Sequence, residues 1–141
     1  MKIVSTIARF LLGLIFVVFG LNGILQFIPM PPPTGIAGQF VGALFLSHYL
    51  FVIMLIQIFG GVLLIANRFV PLGLTLLGPV IANVFFFHAF MDPSGLPWAA
   101  VVIILWLLEA HSVRSAFAGV LQQRVDDAAI PKTQFMGATV R

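Results

Sequence analysis

The chain has 141 residues, of which 61% are hydrophobic and 8% charged, and its mean hydropathy of +1.16 lies far above that of ordinary soluble domains. This composition excludes a soluble enzyme, a disordered tail and a secreted disulfide scaffold, and the lack of cysteine excludes thiol catalysis, iron–sulfur clusters and thiolate zinc sites within the chain. The net charge of +3 is too dispersed for a nucleic-acid surface, so we expect no nucleic acid partner and a lipid bilayer as the main environment.

Four segments are long and apolar enough to cross a ~30 Å hydrocarbon core as helices of about 20 residues. The first covers residues 3–28 and ends at the proline-rich run 29–33, which cannot continue a helix. The next apolar stretch, 36–66, is too long for one crossing. Division near His48 gives a short interfacial helix over 36–46 and a second span over 49–66. The third and fourth spans cover 69–91 and 97–118.

The predicted fold is therefore all-α, an integral membrane four-helix bundle with a short interfacial helix between spans one and two. The bundle occupies residues 1–118, and residues 119–141 form a cytoplasmic C-terminal tail. A cleaved signal peptide is the competing interpretation of the first segment, but its apolar run is longer than a typical signal sequence has.

The basic residues predict the orientation of this bundle. All seven fall on one side of the four spans, and the loops on the other side, residues 29–47 and 92–96, contain no Lys or Arg. The positive-inside rule then places both termini in the cytoplasm. The seven are Lys2, Arg9, Arg68, Arg114, Arg124, Lys132 and Arg141.

Each predicted span carries one polar side chain at a similar depth. Counted at about 1.5 Å per residue from the outer ends of the spans, these side chains lie at depths of about 10 to 16 Å. They form either a structural clasp of interhelical hydrogen bonds or a pocket that binds the head of an amphipathic ligand such as a quinone. The four residues are Asn22, Gln57, Asn83 and Glu109.

Glu109 is the only acidic residue expected within the hydrocarbon layer, and its possible partners are Arg9, His111 and Arg114. His88 is expected either to hydrogen-bond the outer loops or to act as a proton or ligand gate. A haem between His48 and His88 has little support, and no metal site is expected.

Glycines recur along three of the spans, at positions 13 and 20, 60 and 61, and 73 and 78. Small residues on facing helices allow the backbones to approach closely. This pattern predicts a tightly packed bundle. A channel is disfavoured because no ring of charges or series of hydroxyls lines a path through it.

The arrangement resembles the DoxX family of small four-span bacterial membrane proteins. The resemblance covers roughly residues 3–118, and the segments that carry it are 9–13, 19–23, 57–64, 67–72, 83–88 and 92–96. One departure is Gln57, which stands where the family usually has Glu before its double glycine. A proton-linked carboxylate role at that position is therefore not expected.

The resemblance implies a membrane partner of a redox system, such as thiosulfate-to-quinone oxidation or an oxidative-stress complex. The first expectation is a noncatalytic accessory or anchoring subunit of a redox or respiratory complex in the bacterial cytoplasmic membrane. Its partners would be other membrane protein subunits. Assembly into a homo-oligomer is the alternative. The sequence contains no stand-alone catalytic residue set, so it predicts no specific enzymatic activity.

The alternative is a quinone-binding subunit of an oxidoreductase. In it Asn22, Gln57 and Asn83 would donate hydrogen bonds to a quinone carbonyl and Glu109 would relay protons. His88 completes this candidate site. A solute transporter is a weaker third hypothesis, since broken helices and inverted repeats are missing from the sequence.

Overall fold

The structure, a computed structural model, describes residues 2–121, and this part of the chain is helical without strands. Three stretches are long and apolar enough to cross a membrane, or four if the bent pair α2 and α3 counts as one span. The prediction of an all-α fold is confirmed. The helices are α1 (Lys2–Leu25), α2 (Gly35–Leu46), α3 (Tyr49–Ile65), α4 (Val70–Phe90) and α5 (Leu96–Ser112), with 3-10 segments at Pro93–Gly95 and Arg114–Leu121.

The break between α2 and α3 lies where the sequence predicts it. The two helices meet at an angle of 85°, and His48 between them has a left-handed backbone with φ of 62°. α2 packs on α3, and its Phe40 ring lies 6.1 Å from the Phe87 ring of α4. The predicted short helix between the first two spans is thus present and crosses over one end of the bundle.

Two predicted helix ends are wrong. α1 stops at Leu25 rather than residue 28, because Gln26 adopts a positive φ of 52° and the chain turns back toward Asn22. α5 stops at Ser112 rather than residue 118 and continues as a 3-10 segment, in which Ala116 N–H bonds the Val113 carbonyl. The predicted C-terminal tail, 119–141, lies outside the described residues apart from its first three.

Helices α1, α3, α4 and α5 form a ring in which each helix packs against two neighbours. The backbones of α1 and α3 approach closely at Gly13 and Gly61, where a methyl group added to Gly61 would lie 2.7 Å from the Gly13 carbonyl oxygen. A methyl group added to Gly73 of α4 would likewise lie 3.1 Å from the Gly60 carbonyl oxygen of α3. The predicted close packing through glycine faces is confirmed.

The centre of the ring is filled by leucines from three helices. Leu12 of α1, Leu64 of α3, and Leu74 and Leu77 of α4 are each 0% exposed. α5 adds Trp106, whose indole N–H donates to the Leu74 carbonyl at 3.0 Å. This bond joins α5 to α4 and satisfies the one polar atom of the indole ring.

The turn between α3 and α4 is a Schellman motif. Arg68 N–H bonds the Leu63 carbonyl and Asn67 N–H bonds the Leu64 carbonyl, with Asn67 in the left-handed conformation at φ of 53°. Asn67 also accepts a hydrogen bond from Arg9 near the start of α1. The Lys and Arg residues of the described chain therefore lie at one end of the bundle: Lys2, Arg9, Arg68 and Arg114.

Candidate functional site

The structure does not bring the four predicted polar side chains into one hydrogen-bonded layer. Asn22 and Glu109 are buried, at 3% and 1% exposure, but Gln57 is only half-buried and Asn83 is exposed. Glu109 contacts Ser5 of α1, which lies 17 residues before Asn22, a distance of about 25 Å along the helix. These four side chains therefore form neither the predicted clasp nor the predicted quinone pocket.

Asn22 is satisfied locally at the end of α1. Its Oδ1 accepts a hydrogen bond from Ile28 N–H at 2.6 Å, and its Nδ2 donates to the Ile28 carbonyl at 3.3 Å. The side chain amide thus pairs with one residue of the loop that follows the helix. Its role is to hold the loop against the bundle.

Gln57 and Asn83 point to different surroundings. Gln57 lies beside Gly20 of α1, within one helical turn of Asn22, and has no side-chain hydrogen bond to the described residues. Asn83 donates from Nδ2 to the Pro79 carbonyl of its own helix at 2.9 Å. The helix rotates Asn83 away from the core because Gly73, Leu74 and Leu77 occupy the opposite, buried side of α4.

Glu109 belongs to a serine cluster at the other end of α1. Ser5 donates its hydroxyl proton to Glu109 Oε2 at 2.5 Å. A serine hydroxyl has one proton, so the 2.8 Å contact between Ser5 and Ser112 is a bond that Ser112 donates. Glu109, Ser5 and Ser112 therefore link α1 to the last turn of α5.

The predicted partners of Glu109 do not pair with it in the described residues. Arg9 instead donates from a terminal nitrogen to Asn67 Oδ1, and its buried Nε has no acceptor within residues 2–121. Arg114 donates to His111 Nε2 at 3.1 Å. These contacts of Ser5, Ser112 and Asn67 are not predicted from the sequence, because short polar side chains near helix ends are too common to indicate a specific contact.

His88 hydrogen-bonds the loop after α4, as one of its two predicted roles requires. Its Nδ1 donates to the Asp92 carbonyl at 2.9 Å and lies 3.9 Å from an Asp92 carboxylate oxygen. The ring packs directly on Gly95, where a methyl group would overlap it. His88 thereby fixes the turn that leads into α5.

The exposed side of α4 carries an ordered set of side chains at spacings of three and four residues, which we call the Asn83 face. The rings of Phe86 and Phe90 stack at its end with centroids 6.1 Å apart, and Asn83 is near its middle. Thr75, the other polar member, donates to the Pro71 carbonyl. The members are Leu72, Thr75, Pro79, Asn83, Phe86 and Phe90.

Two open cavities accompany these features. One of about 290 Å³ lies between α1 and the α2–α3 break and is mainly apolar, with His48 and Met54 in its lining. The other, of about 270 Å³, lies at the end that holds Ser5, and basic residues line it. Within residues 2–121 no three His, Asp or Glu side chains are close enough to hold a metal ion.

No protein-family description, curated protein or solved structure matches this chain in sequence or fold.

Proposed function

We propose that this chain is a multi-pass protein of the bacterial cytoplasmic membrane, with both termini in the cytoplasm, and a noncatalytic accessory subunit of a larger redox assembly. The apolar helices support the membrane location, since α1 has a mean hydropathy of 2.3 and α4 of 1.9 over their spanning windows. The basic residues at one end of the bundle support the orientation.

The observation that carries the accessory role is the exposure of Asn83. It lies seven residues before the end of α4, or about 10 Å inside the proposed span. One proton of its Nδ2 bonds the Pro79 carbonyl, and the second Nδ2 proton and the side-chain oxygen Oδ1 have no partner in the described chain. Polar side chains within a bilayer face protein rather than acyl chains, so we assign the Asn83 face to a helix of another subunit.

The redox character of the assembly rests on the DoxX resemblance of segments 57–64 and 83–88, together with the stretch 92–96 that follows them. These segments form the α3 glycine contact with α1 and the His88 turn. In this proposal they build the scaffold that presents the Asn83 face. Electron-transfer chemistry belongs to the partner subunits.

Purification from native membranes in mild detergent tests the proposal. We expect wild-type chain to elute with a stoichiometric membrane partner and Asn83→Leu to lose it. Gln57→Leu is the matched control, because it removes an amide from a different helix that does not carry the face. A wild-type chain that elutes alone in several detergents, or a homodimer that depends on Asn83, would contradict the accessory role.

A further inference from the structure

A basic cleft lies between the first turn of α1 and the end of α5. Its volume is about 270 Å³, and it is open on one side. The polar side chains that line it are Lys2, Ser5, His111, Ser112 and Arg114. Neither the hydrogen bonds within the bundle nor the Asn83 face requires this concentration of basic side chains.

The residues that line the cleft carry positive charge. Lys2 comes from α1 and Arg114 from the segment after α5, and no carboxylate of residues 2–121 is among the lining residues. Glu109, the nearest acidic residue in the chain sequence, is 1% exposed and accepts the Ser5 hydroxyl beneath the cleft. Its carboxyl oxygen Oε2 is therefore bonded to Ser5, and Glu109 is not among the residues that line the cleft.

The cleft also holds one of its cations in place. Arg114 has only donors, so His111 Nε2 is the acceptor in their 3.1 Å contact. A guanidinium anchored in this way retains other N–H groups that can bind two oxygens of a phosphate. His111 is a positioning residue for Arg114.

The walls and the size of the cleft indicate what kind of phosphate compound it binds. Val4 and Leu108 also line it, and both are about half exposed on the outside of the bundle. The volume falls slightly below the ~300–1,000 Å³ of pockets that enclose a whole small molecule. A polar group with apolar chains attached would place its phosphate in the cleft and its chains along these two side chains.

We infer that this cleft binds the phosphate of an anionic phospholipid from the inner leaflet. The inference rests on the proposed membrane location and orientation, and it is independent of the accessory role. Lys2 and Arg114 bind the phosphate oxygens, and Ser5 and Ser112 lie within the same polar lining. Free inorganic phosphate has the same charged group, but it has no apolar chains to contact the apolar wall of the cleft.

Native mass spectrometry of the purified full chain in an uncharged detergent tests this assignment. The chain is titrated with phosphatidylglycerol, with phosphatidylcholine and with inorganic phosphate in separate experiments. We expect tightest binding of phosphatidylglycerol and about fivefold weaker binding in Lys2→Gln or Arg114→Gln, the effect of one cation near an anionic lipid. Arg68→Gln, which removes the same charge at the same end but outside the cleft, should bind as wild type does.

Three results would overturn the assignment. Equal affinity for phosphatidylglycerol and phosphatidylcholine removes the anion preference, and equal weakening in Arg68→Gln and Arg114→Gln makes the effect one of net charge. Displacement of the lipid by millimolar inorganic phosphate would make free phosphate the ligand. Circular dichroism of each variant shows that it is folded, and membrane fractionation of the wild type separates failure of this inference from failure of the membrane proposal.

Discussion

Among residues 2–121 the buried polar side chains are Asn22 and Glu109, and their hydrogen bonds are of contrasting kinds. Asn22 bonds the backbone of Ile28, six residues further along the chain, and its contact needs only the loop after α1. Glu109 bonds Ser5, 104 residues away, and its contact exists only when α1 and α5 pack together. The Asn22 bonds therefore stabilise a local turn, whereas the Glu109 bond depends on the tertiary packing of α1 against α5.

The difference predicts which substitutions disturb the bundle as a whole. Loss of a local bond should loosen one loop, whereas loss of an interhelical bond should weaken the α1–α5 contact. A buried group left without its partner costs about 1–3 kcal/mol, and a cavity adds to that cost.

Glu109→Ala should have the largest effect, a loss of about 3 kcal/mol in the free energy of unfolding. It removes the acceptor of the Ser5 hydroxyl and leaves a cavity at a position that is 1% exposed. Glu109→Gln should stay close to wild type, because its side-chain carbonyl still accepts from Ser5. Unfolding in mixed micelles by titration with a denaturing detergent measures both.

A double-mutant cycle sharpens this result. Ser5→Ala and Glu109→Ala should be non-additive when combined, with a coupling of about 1 kcal/mol. Additive effects would mean that the Ser5–Glu109 contact does not contribute to stability.

Asn22→Ala should cost about 2 kcal/mol, since it leaves both the N–H and the carbonyl of Ile28 without their partner. Hydrogen exchange should rise in the loop after α1 while the α1–α5 contact stays protected. Asn83→Ala is the control, an exposed amide that bonds its own helix, and it should change stability by less than about 0.5 kcal/mol. Equal effects of the two alanines would contradict the local role of Asn22.

Gly95→Ala should cost about 1 kcal/mol. The added methyl group would overlap the His88 ring, so the ring must move and the bond to the Asp92 carbonyl must lengthen. His88→Ala should remove the penalty of a further Gly95→Ala substitution, because the overlapping ring is then gone. A penalty that persists in the His88→Ala background would locate the strain elsewhere in the turn.

Asn67→Gly should have the smallest effect, within about 0.5 kcal/mol of wild type. It loses the bond from Arg9, but glycine adopts the left-handed conformation of this turn without the steric cost that asparagine carries. Asn67→Val, which is strongly disfavoured at positive φ, should be clearly less stable in the same detergent titration. If valine is tolerated as well as glycine, the backbone conformation is not what position 67 requires.

The sequence by itself determines where the helices are and where the chain must turn. The prolines at 29–33, the Asp92-Pro93 turn and the polar residues near His48 predict the breaks, since each is incompatible with a continued apolar helix. The glycines at 13 and 61 also predict a close helix contact, because only small side chains permit it.

The tertiary structure alone decides the rotation of each helix and hence the surroundings of each polar side chain. A count of residues gives depth along a helix axis, but α4 is apolar on nearly all sides and offers no amphipathic pattern from which its rotation could be read. Packing of Gly73, Leu74 and Leu77 against α3 and α5 turns Asn83 outward. The Ser5–Glu109 bond could not be predicted from the sequence either, because these partners are 104 residues apart and meet only when α1 packs against α5.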